Sequence, residues 1–70
     1  MKMEKLWYGS TKCDICENEC VDILYDAKTN LGCWATMCKK CYIKHGIGVG
    51  TGVGQKYIKN KHGKFQKVAG

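Results

Sequence analysis

Two Cys-x-x-Cys pairs constrain the fold of this chain more than any other feature. Cys13 and Cys16 form the first pair, Cys38 and Cys41 form the second, and residues 17–37 lie between them. Two thiolates spaced in this way can bind one metal ion from a single tight turn, and two such pairs complete the tetrahedron that Zn²⁺ prefers. The spacing therefore predicts one structural zinc ion bound by these four cysteines.

A chain this short usually needs an additional stabilising element, such as a bound metal ion. A chain of 70 residues with 44% apolar composition buries only a thin core, and proteins of this size commonly depend on disulfides, a metal or a partner. The first residues contain no apolar run long enough for a signal peptide, and no later segment approaches a membrane span. We therefore expect a cytoplasmic protein with reduced thiols, which favours metal binding over a disulfide framework. Iron stays an alternative to zinc, because spacing alone does not separate the two metals.

Four further potential metal ligands, two cysteines and two histidines, lie outside the two pairs. Cys20 and Cys33 are expected in the core, because free cysteine is among the most buried residue types. His45 follows Cys41 closely enough to replace a thiolate, and His62 is expected in a solvated turn. Together with the favoured ligands these donors formally suffice for a second metal site, so that alternative stays open; the expectation is a single zinc ion.

The residue pattern between and after the two pairs predicts a small, zinc-stapled α+β domain. Residues 21–25 and 31–37 are rich in β-branched and aromatic residues, which predicts two strands joined by a polar turn at 26–30. Residues 39–45 predict a short helix that ends at Gly46 and carries the second cysteine pair at its start. A cysteine knuckle, a β-hairpin and such a helix follow the treble-clef order. The alternative is a zinc ribbon, in which the second pair also lies on a β-turn.

A segment in which glycine alternates with other residues follows the predicted helix. Five glycines between positions 46 and 54 alternate with Ile47, Val49, Thr51 and Val53. An extended chain places these side chains on one face and bare backbone on the other, so we expect a glycine-rich strand whose apolar face completes the core. A phosphate-binding glycine loop is the alternative, although no Gly-Lys-Ser/Thr sequence and no strand–loop–helix frame accompany it.

The C-terminal segment predicts a second hairpin. Residues 56–59 and 64–68 resemble strands, and residues 60–63 resemble the turn between them; a frayed terminus is the alternative. At the other end, residues 6–8 are expected to form an edge strand or to pack their rings on the zinc module. The predicted organisation is an N-terminal arm (1–12), a zinc-binding domain (13–57) and a basic C-terminal tail or hairpin (58–70).

Charge is distributed unevenly along the sequence. All six acidic residues lie in the first 26 positions, where three lysines leave a net charge of −3, whereas the remaining positions carry nine lysines and no acidic residue. Zinc bound by four thiolates lowers the formal net charge from +6 to +4. A basic surface favours a polyanion or an acidic partner, and a lysine-rich solvated exterior is the alternative. The candidate partner surface consists of Lys39, Lys40, Lys44, Lys56, Lys59, Lys61, Lys64 and Lys67.

All twelve basic residues are lysines. The planar fork of arginine reads guanine and binds phosphate through two-point contacts, whereas lysine acts as a point charge. The absence of arginine therefore argues against sequence-specific reading of DNA and leaves non-specific attraction to phosphate open. If the chain binds nucleic acid in this non-specific way, we expect Tyr57 and Phe65 on the surface, where their rings would stack on bases.

The second cysteine pair and the glycine segment also carry a family resemblance. Residues 32–42 read Gly-Cys-Trp-Ala-Thr-Met-Cys-Lys-Lys-Cys-Tyr, and residues 45–57 read His-Gly-Ile-Gly-Val-Gly-Thr-Gly-Val-Gly-Gln-Lys-Tyr. The stretch from Cys13 to Tyr57 resembles a group of small, mostly uncharacterised phage zinc-finger-like proteins that combine an upstream Cys-x-x-Cys with these two motifs. That group often has proline after the first glycine, where this chain has Cys33, which fits a cysteine that the metal does not need. More loosely, the second pair and its helix resemble the helical half of GATA-type fingers, whose DNA-binding arginines are missing here.

Enzymatic activity is not expected from this sequence. Four cysteines leave zinc no open position for water, and Ser10, the only serine, has no evident partnered base. The resemblance implies a phage protein, and the missing arginines, together with an acidic front opposite a basic back, favour a binding protein that docks on a protein or nucleoprotein. Such a protein would bind a host protein or nucleoprotein complex in the host cytoplasm and modulate or inhibit it, as anti-CRISPR proteins do to RNA-guided nucleases. The alternative is a zinc finger that binds DNA or RNA directly, largely without sequence preference; the sequence does not indicate the oligomeric state.

Overall fold

Four strands and one helix make up the regular structure of residues 5–70, the part of the chain that the computed structural model describes. The first four residues of the predicted N-terminal arm lie outside this part. Within residues 5–70, no helix has the length and apolar character needed to cross a bilayer. The elements are β1 (Ile23–Lys28), β2 (Trp34–Met37), α1 (Lys39–His45), β3 (Gly54–Lys59) and β4 (Phe65–Ala69).

The four strands form one antiparallel sheet in the order β2-β1-β3-β4, so both predicted hairpins are confirmed. The first hairpin turn lies later in the chain than predicted, at residues 29–33. Thr29 accounts for this shift, because its hydroxyl donates to the Cys33 carbonyl at 2.8 Å and accepts from the Leu31 N–H at 3.2 Å. As a result β2 has only four residues. The small α+β class is confirmed, whereas the treble-clef assignment stays a prediction.

The central strands β1 and β3 carry buried side chains on both faces of the sheet. Residues opposite one another in an antiparallel pair share a face, so Leu24 lies with Tyr57 on one face while Tyr25 and Ala27 lie on the other. Trp7 covers the first face, where its ring centroid lies 5.3 Å from that of Tyr57. Helix α1 covers the second face. The core is therefore two thin layers with the sheet between them.

An aromatic stack fixes α1 to the sheet. The rings of Tyr42 and Tyr25 are nearly parallel, with their centroids 3.8 Å apart. The helix ends at Gly46, as predicted, and a Cβ at that position would collide with the Tyr42 ring. In the first hairpin turn, Asn30 donates its N–H to the His45 carbonyl at 2.7 Å, which satisfies one of the last carbonyls of the helix.

The glycine segment is not the strand that the sequence predicts. Strand β3 begins only at Gly54, and residues 47–53 form a loop closed by hydrogen bonds of 2.9 and 3.0 Å between Gly50 and Gly54. In this loop Ile47 is 57% exposed instead of completing the core. The expected close approach of bare backbone occurs at Gly54, which lies so near Ala27 that no side chain fits there.

Segments that precede β1 pair with both edge strands of the sheet. Residues 5–7 run along β4, where the Trp7 N–H donates to the Phe65 carbonyl at 2.8 Å. At β2, Asp14 donates its N–H to the Thr36 carbonyl at 2.7 Å and accepts the Thr36 N–H on Oδ2 at 2.8 Å. These contacts satisfy backbone groups that an open edge presents to other chains. The prediction for residues 6–8 is confirmed in part: Leu6 pairs with the edge of the sheet and Trp7 packs its ring on Tyr57, whereas Tyr8 is 87% exposed.

Candidate metal centre

The first cysteine pair lies in a tight loop that closes on itself. The Cys13 N–H donates to the Asn18 carbonyl at 2.8 Å, and the flanking residues Lys12 and Glu19 pair in an antiparallel bridge. The chain thus reverses direction immediately after Cys16. This reversal brings the two thiols of the pair together, as expected of a cysteine knuckle.

Asp14 attaches this loop to the sheet from its position between two ligands. Its backbone N–H and its carboxylate both bond to Thr36, which lies two residues before Cys38. The first pair is therefore placed directly against the strand that leads into the second pair. No sequence signal marks this role, because the partner of Asp14 is a strand backbone that only the fold brings near.

The second cysteine pair lies at the start of α1. Cys38 is the residue before the helix and has extended backbone angles of φ −74° and ψ 167°, while Cys41 is buried in the first turn. The Tyr42 N–H donates to the Cys38 carbonyl at 2.9 Å, which closes that turn. This arrangement confirms a second pair carried by a helix, in contrast to the β-turn of a zinc ribbon.

The four thiols are arranged to bind one zinc ion. All four sulfur atoms lie within 4.8 Å of one another, and the Sγ atoms of Cys16 and Cys38 are 3.7 Å apart. Zn–S bonds of about 2.3 Å in a regular tetrahedron require sulfur–sulfur separations of about 3.8 Å. All six cysteines of the chain are free thiols, so no disulfide competes for the ligands. The predicted set of Cys13, Cys16, Cys38 and Cys41 thus fits a closed, structural zinc site.

Before metal binds, the thiols of Cys13 and Cys41 differ strongly in pKa. Burial disfavours a charge on Cys13, but hydrogen bonds from the backbone of Cys16 and Cys38 outweigh it and lower the pKa of the Cys13 thiol to about 6. Burial and hydrogen bonds to the neighbouring thiols raise the pKa of Cys41 to about 12. Because zinc binds thiolates, metal binding must displace the proton of Cys41 at neutral pH.

The remaining donors do not join the cluster. Within the described residues 5–70, the four-cysteine group is the one set of donors close enough to share an ion, and Cys20, Cys33 and His45 lie outside it. Cys20 is buried, as predicted, and burial together with the nearby cluster thiolates raises the pKa of this thiol to about 12. Cys33 is exposed, contrary to prediction, because it lies in the hairpin turn. The Nδ1 atom of His45 lies 3.3 Å from the Asn30 side chain, and His62 is exposed.

The candidate lysine surface is divided between the two faces of the sheet. Lys56 lies on the face that α1 covers, with its ammonium 5.9 Å from the Tyr25 ring centroid. Lys59 and Lys67 lie on the opposite face, since they share the side of Tyr57. Lys56 and Lys67 are half-buried, and six members of the set are exposed: Lys39, Lys40, Lys44, Lys59, Lys61 and Lys64.

The aromatic residues predicted to stack on bases are in the core. Tyr57 is only 5% exposed and Phe65 only 4%, because both lie on the face of the sheet that carries Trp7. The alternation of polar and apolar residues in this segment does not reveal that another segment covers the face. The large aromatic residues that do reach solvent are Tyr8, at 87% exposure, and Trp34, at 46%.

Comparisons with protein-family models, with curated proteins and with solved structures found no match. The resemblance to phage zinc-finger-like proteins therefore stays an expectation that rests on the sequence motifs.

Proposed function

We propose that this chain is a non-catalytic, zinc-stabilised binding protein, encoded by a phage, that binds a host protein or nucleoprotein complex and modulates or inhibits it. The cysteine cluster carries the proposal. Its four sulfur atoms lie within 4.8 Å of one another and can occupy all four coordination positions of a tetrahedral zinc ion. No coordination position then remains for water or substrate. The zinc ion then stabilises the fold, and the surface around the ion binds the partner.

The distribution of charge and aromatic residues supports a protein or nucleoprotein partner over free nucleic acid. Lys56 and the pair Lys59 and Lys67 lie on opposite faces of the sheet, so a single phosphate backbone cannot follow all of them. Tyr57 and Phe65 are buried and offer no stacking platform. A nucleoprotein presents protein and phosphate surfaces together, and an RNA-guided nuclease is the candidate that the phage resemblance suggests.

A pull-down from a bacterial lysate tests the proposal. The zinc-loaded protein is immobilised, and the lysate is divided into two portions, one of which is treated with nuclease. We expect one host protein, or one complex, to be retained in stoichiometric amount from both portions. Retention of nucleic acid without a stable protein partner would contradict the proposal. If the retained partner is an RNA-guided nuclease, the zinc-loaded protein should inhibit its cleavage of target DNA in a purified system.

Direct binding of nucleic acid, largely without sequence preference, is the second candidate. One observation favours it: the half-exposed Trp34 lies opposite the exposed Lys28 on the same face of the sheet, which pairs a stacking ring with a phosphate-binding cation. Fluorescence anisotropy with single-stranded DNA and RNA over a range of salt concentrations tests it. Affinity should fall steeply with salt and should decrease in Trp34→Ala. Absence of binding at low salt would eliminate this candidate.

A further inference from the structure

An open groove lies beside the metal centre, and its cavity volume is about 360 Å³. It runs between the segment that leaves the first cysteine loop and the start of α1, and we call it the knuckle–helix groove. Such a volume lies at the small end of the range for ligand sites and accommodates one or two side chains. One wall consists of Glu19, Val21, Asp22 and Ile23, and the other consists of Cys38, Lys39 and Lys40.

Apolar side chains in the groove are open to solvent. Val21 is 68% exposed and Ile23 is half-buried, although both are aliphatic. Ile58 lies directly opposite Ile23 in the β1–β3 pair and on the same face of the sheet, and it is 39% exposed. The apolar surface therefore continues from the groove onto the sheet. An apolar side chain placed here would gain from burial in proportion to the area removed from water.

The two walls of the groove carry opposite charges. Lys39 and Lys40 are exposed on the helix wall, while Glu19 and Asp22 are exposed on the opposite wall. Carboxylates next to an apolar anchor would meet the two ammonium groups. A phosphate backbone carries negative charge along its whole length and would also meet Glu19 and Asp22, whereas a peptide can confine its carboxylates to the lysine wall. A phosphate backbone also has no aliphatic side chain to place against Val21. This combination of charge and apolar surface favours a protein segment over a nucleic acid.

From these features we infer that the knuckle–helix groove binds a partner-protein segment in which an aliphatic side chain is followed by carboxylates. The aliphatic side chain contacts Val21 and Ile23, and the carboxylates pair with Lys39 and Lys40. The inference rests on the proposed function, because it names the part of the surface that a protein partner would contact. Addition of the segment as a fifth strand is disfavoured, since β4 pairs with residues 5–7 and β2 bonds to the first cysteine loop.

A peptide titration followed by NMR tests the groove directly. The probe is the capped peptide Ac-Gly-Leu-Glu-Glu-Gly-NH₂, added to ¹⁵N-labelled, zinc-loaded protein up to several millimolar. We expect amide shift changes concentrated at residues 19–23, at residues 38–40 and at Ile58. Two control peptides, one with serine in place of leucine and one with lysines in place of the glutamates, should cause much smaller changes at these amides.

Substitutions in the groove and matched substitutions elsewhere complete the test. Val21→Ser and the double substitution Lys39→Glu/Lys40→Glu should each weaken peptide binding by about fivefold or more. Ile43→Ser and Lys61→Glu/Lys64→Glu change equally exposed residues outside the groove and should leave binding unchanged. The amide spectrum and zinc content of each variant establish that it is folded.

Two results would overturn the inference. The first is the absence of saturable shifts at the groove. The second is equal binding of the serine peptide, with shifts spread over all lysines, which would indicate plain charge attraction. The outcome is also separable from that of the proposed function. A host protein whose retention survives the groove substitutions refutes the groove alone, whereas peptide binding in the groove without any retained host protein refutes the proposed function alone.

Discussion

Replacement of Cys41 by serine removes one zinc ligand and also changes the core. The Cys41 side chain is only 6% exposed and belongs to the same buried cluster as Leu24 and Met37. Cys13, a ligand from the first pair, is buried in that cluster as well. The metal site and the hydrophobic core are therefore one region of the molecule, and a defect in the first is a defect in the second.

The magnitude of the effect follows from the size of the chain. A domain of 70 residues has a free energy of unfolding of about 3.5–10 kcal/mol at roughly 0.05–0.15 kcal/mol per residue. A structural zinc ion contributes roughly 10–16 kcal/mol of apparent binding energy in small finger peptides. Because the second quantity exceeds the first, we expect the chain to be unfolded without zinc. Cys41→Ser should therefore be largely unfolded at zinc concentrations that saturate the unchanged protein.

Amide NMR spectra and native mass spectrometry together test this prediction. The unchanged protein should show dispersed amide signals and the mass of one bound zinc ion, and a strong chelator should collapse the dispersion. Cys33→Ser is the matched control, because Cys33 is exposed and lies outside the cluster. Its effect should stay within about 0.5 kcal/mol, which corresponds to a change in Tm of less than about 4 °C. Dispersed signals in the chelated protein, or equal unfolding of the Cys33 and Cys41 variants, would refute the reasoning.

Three further predictions concern the protons and contacts around the centre. Zinc affinity should rise with pH across the neutral range, because the Cys41 thiol, whose pKa is about 12 before metal binds, must release its proton. Calorimetry in buffers of different ionisation enthalpy measures that proton release. A zinc affinity that does not change with pH would contradict this prediction. Gly46→Ala should cost about 1–3 kcal/mol, because the new Cβ collides with the Tyr42 ring; urea unfolding of the zinc-loaded protein tests this, with the exposed Ile43→Ala as control. Asp14→Ala should cost about 0.5–1.5 kcal/mol through loss of the bond from the β2 backbone. Asp14→Asn keeps an acceptor and should recover most of that stability in the same unfolding experiment, and equal losses in both variants would argue against the bond.

The metal ligands and the order of elements were predictable because their signals are local. The spacing within each Cys-x-x-Cys pair specifies a tight turn whatever surrounds it, and the sequence after Cys38 specifies a short helix that Gly46 ends. The second hairpin was likewise predictable from the turn residues at 60–63. Each of these features depends on neighbours within a few positions, so the chain alone is sufficient to indicate them.

The features that sequence reasoning missed all depend on distant segments. Tyr57 and Phe65 are buried because Trp7 covers their face of the sheet, some fifty positions away along the chain. Asp14 bonds to β2 across more than twenty positions. The glycine segment forms a loop because the backbone of Gly50 bonds to that of Gly54, which the alternation of residues does not indicate. Exposure and edge pairing are properties of the assembled sheet, and an alternating pattern does not specify which segment covers each face.

The pairing of residues 5–7 with β4 has a consequence for how this protein associates with itself. The Trp7 N–H and the Lys5 carbonyl bond to the backbone of Phe65 and Lys67 through a segment that precedes the first cysteine and is not held by the metal. Loss of these bonds would free the backbone groups of the β4 edge for pairing with another chain, so this short segment protects the sheet from self-association.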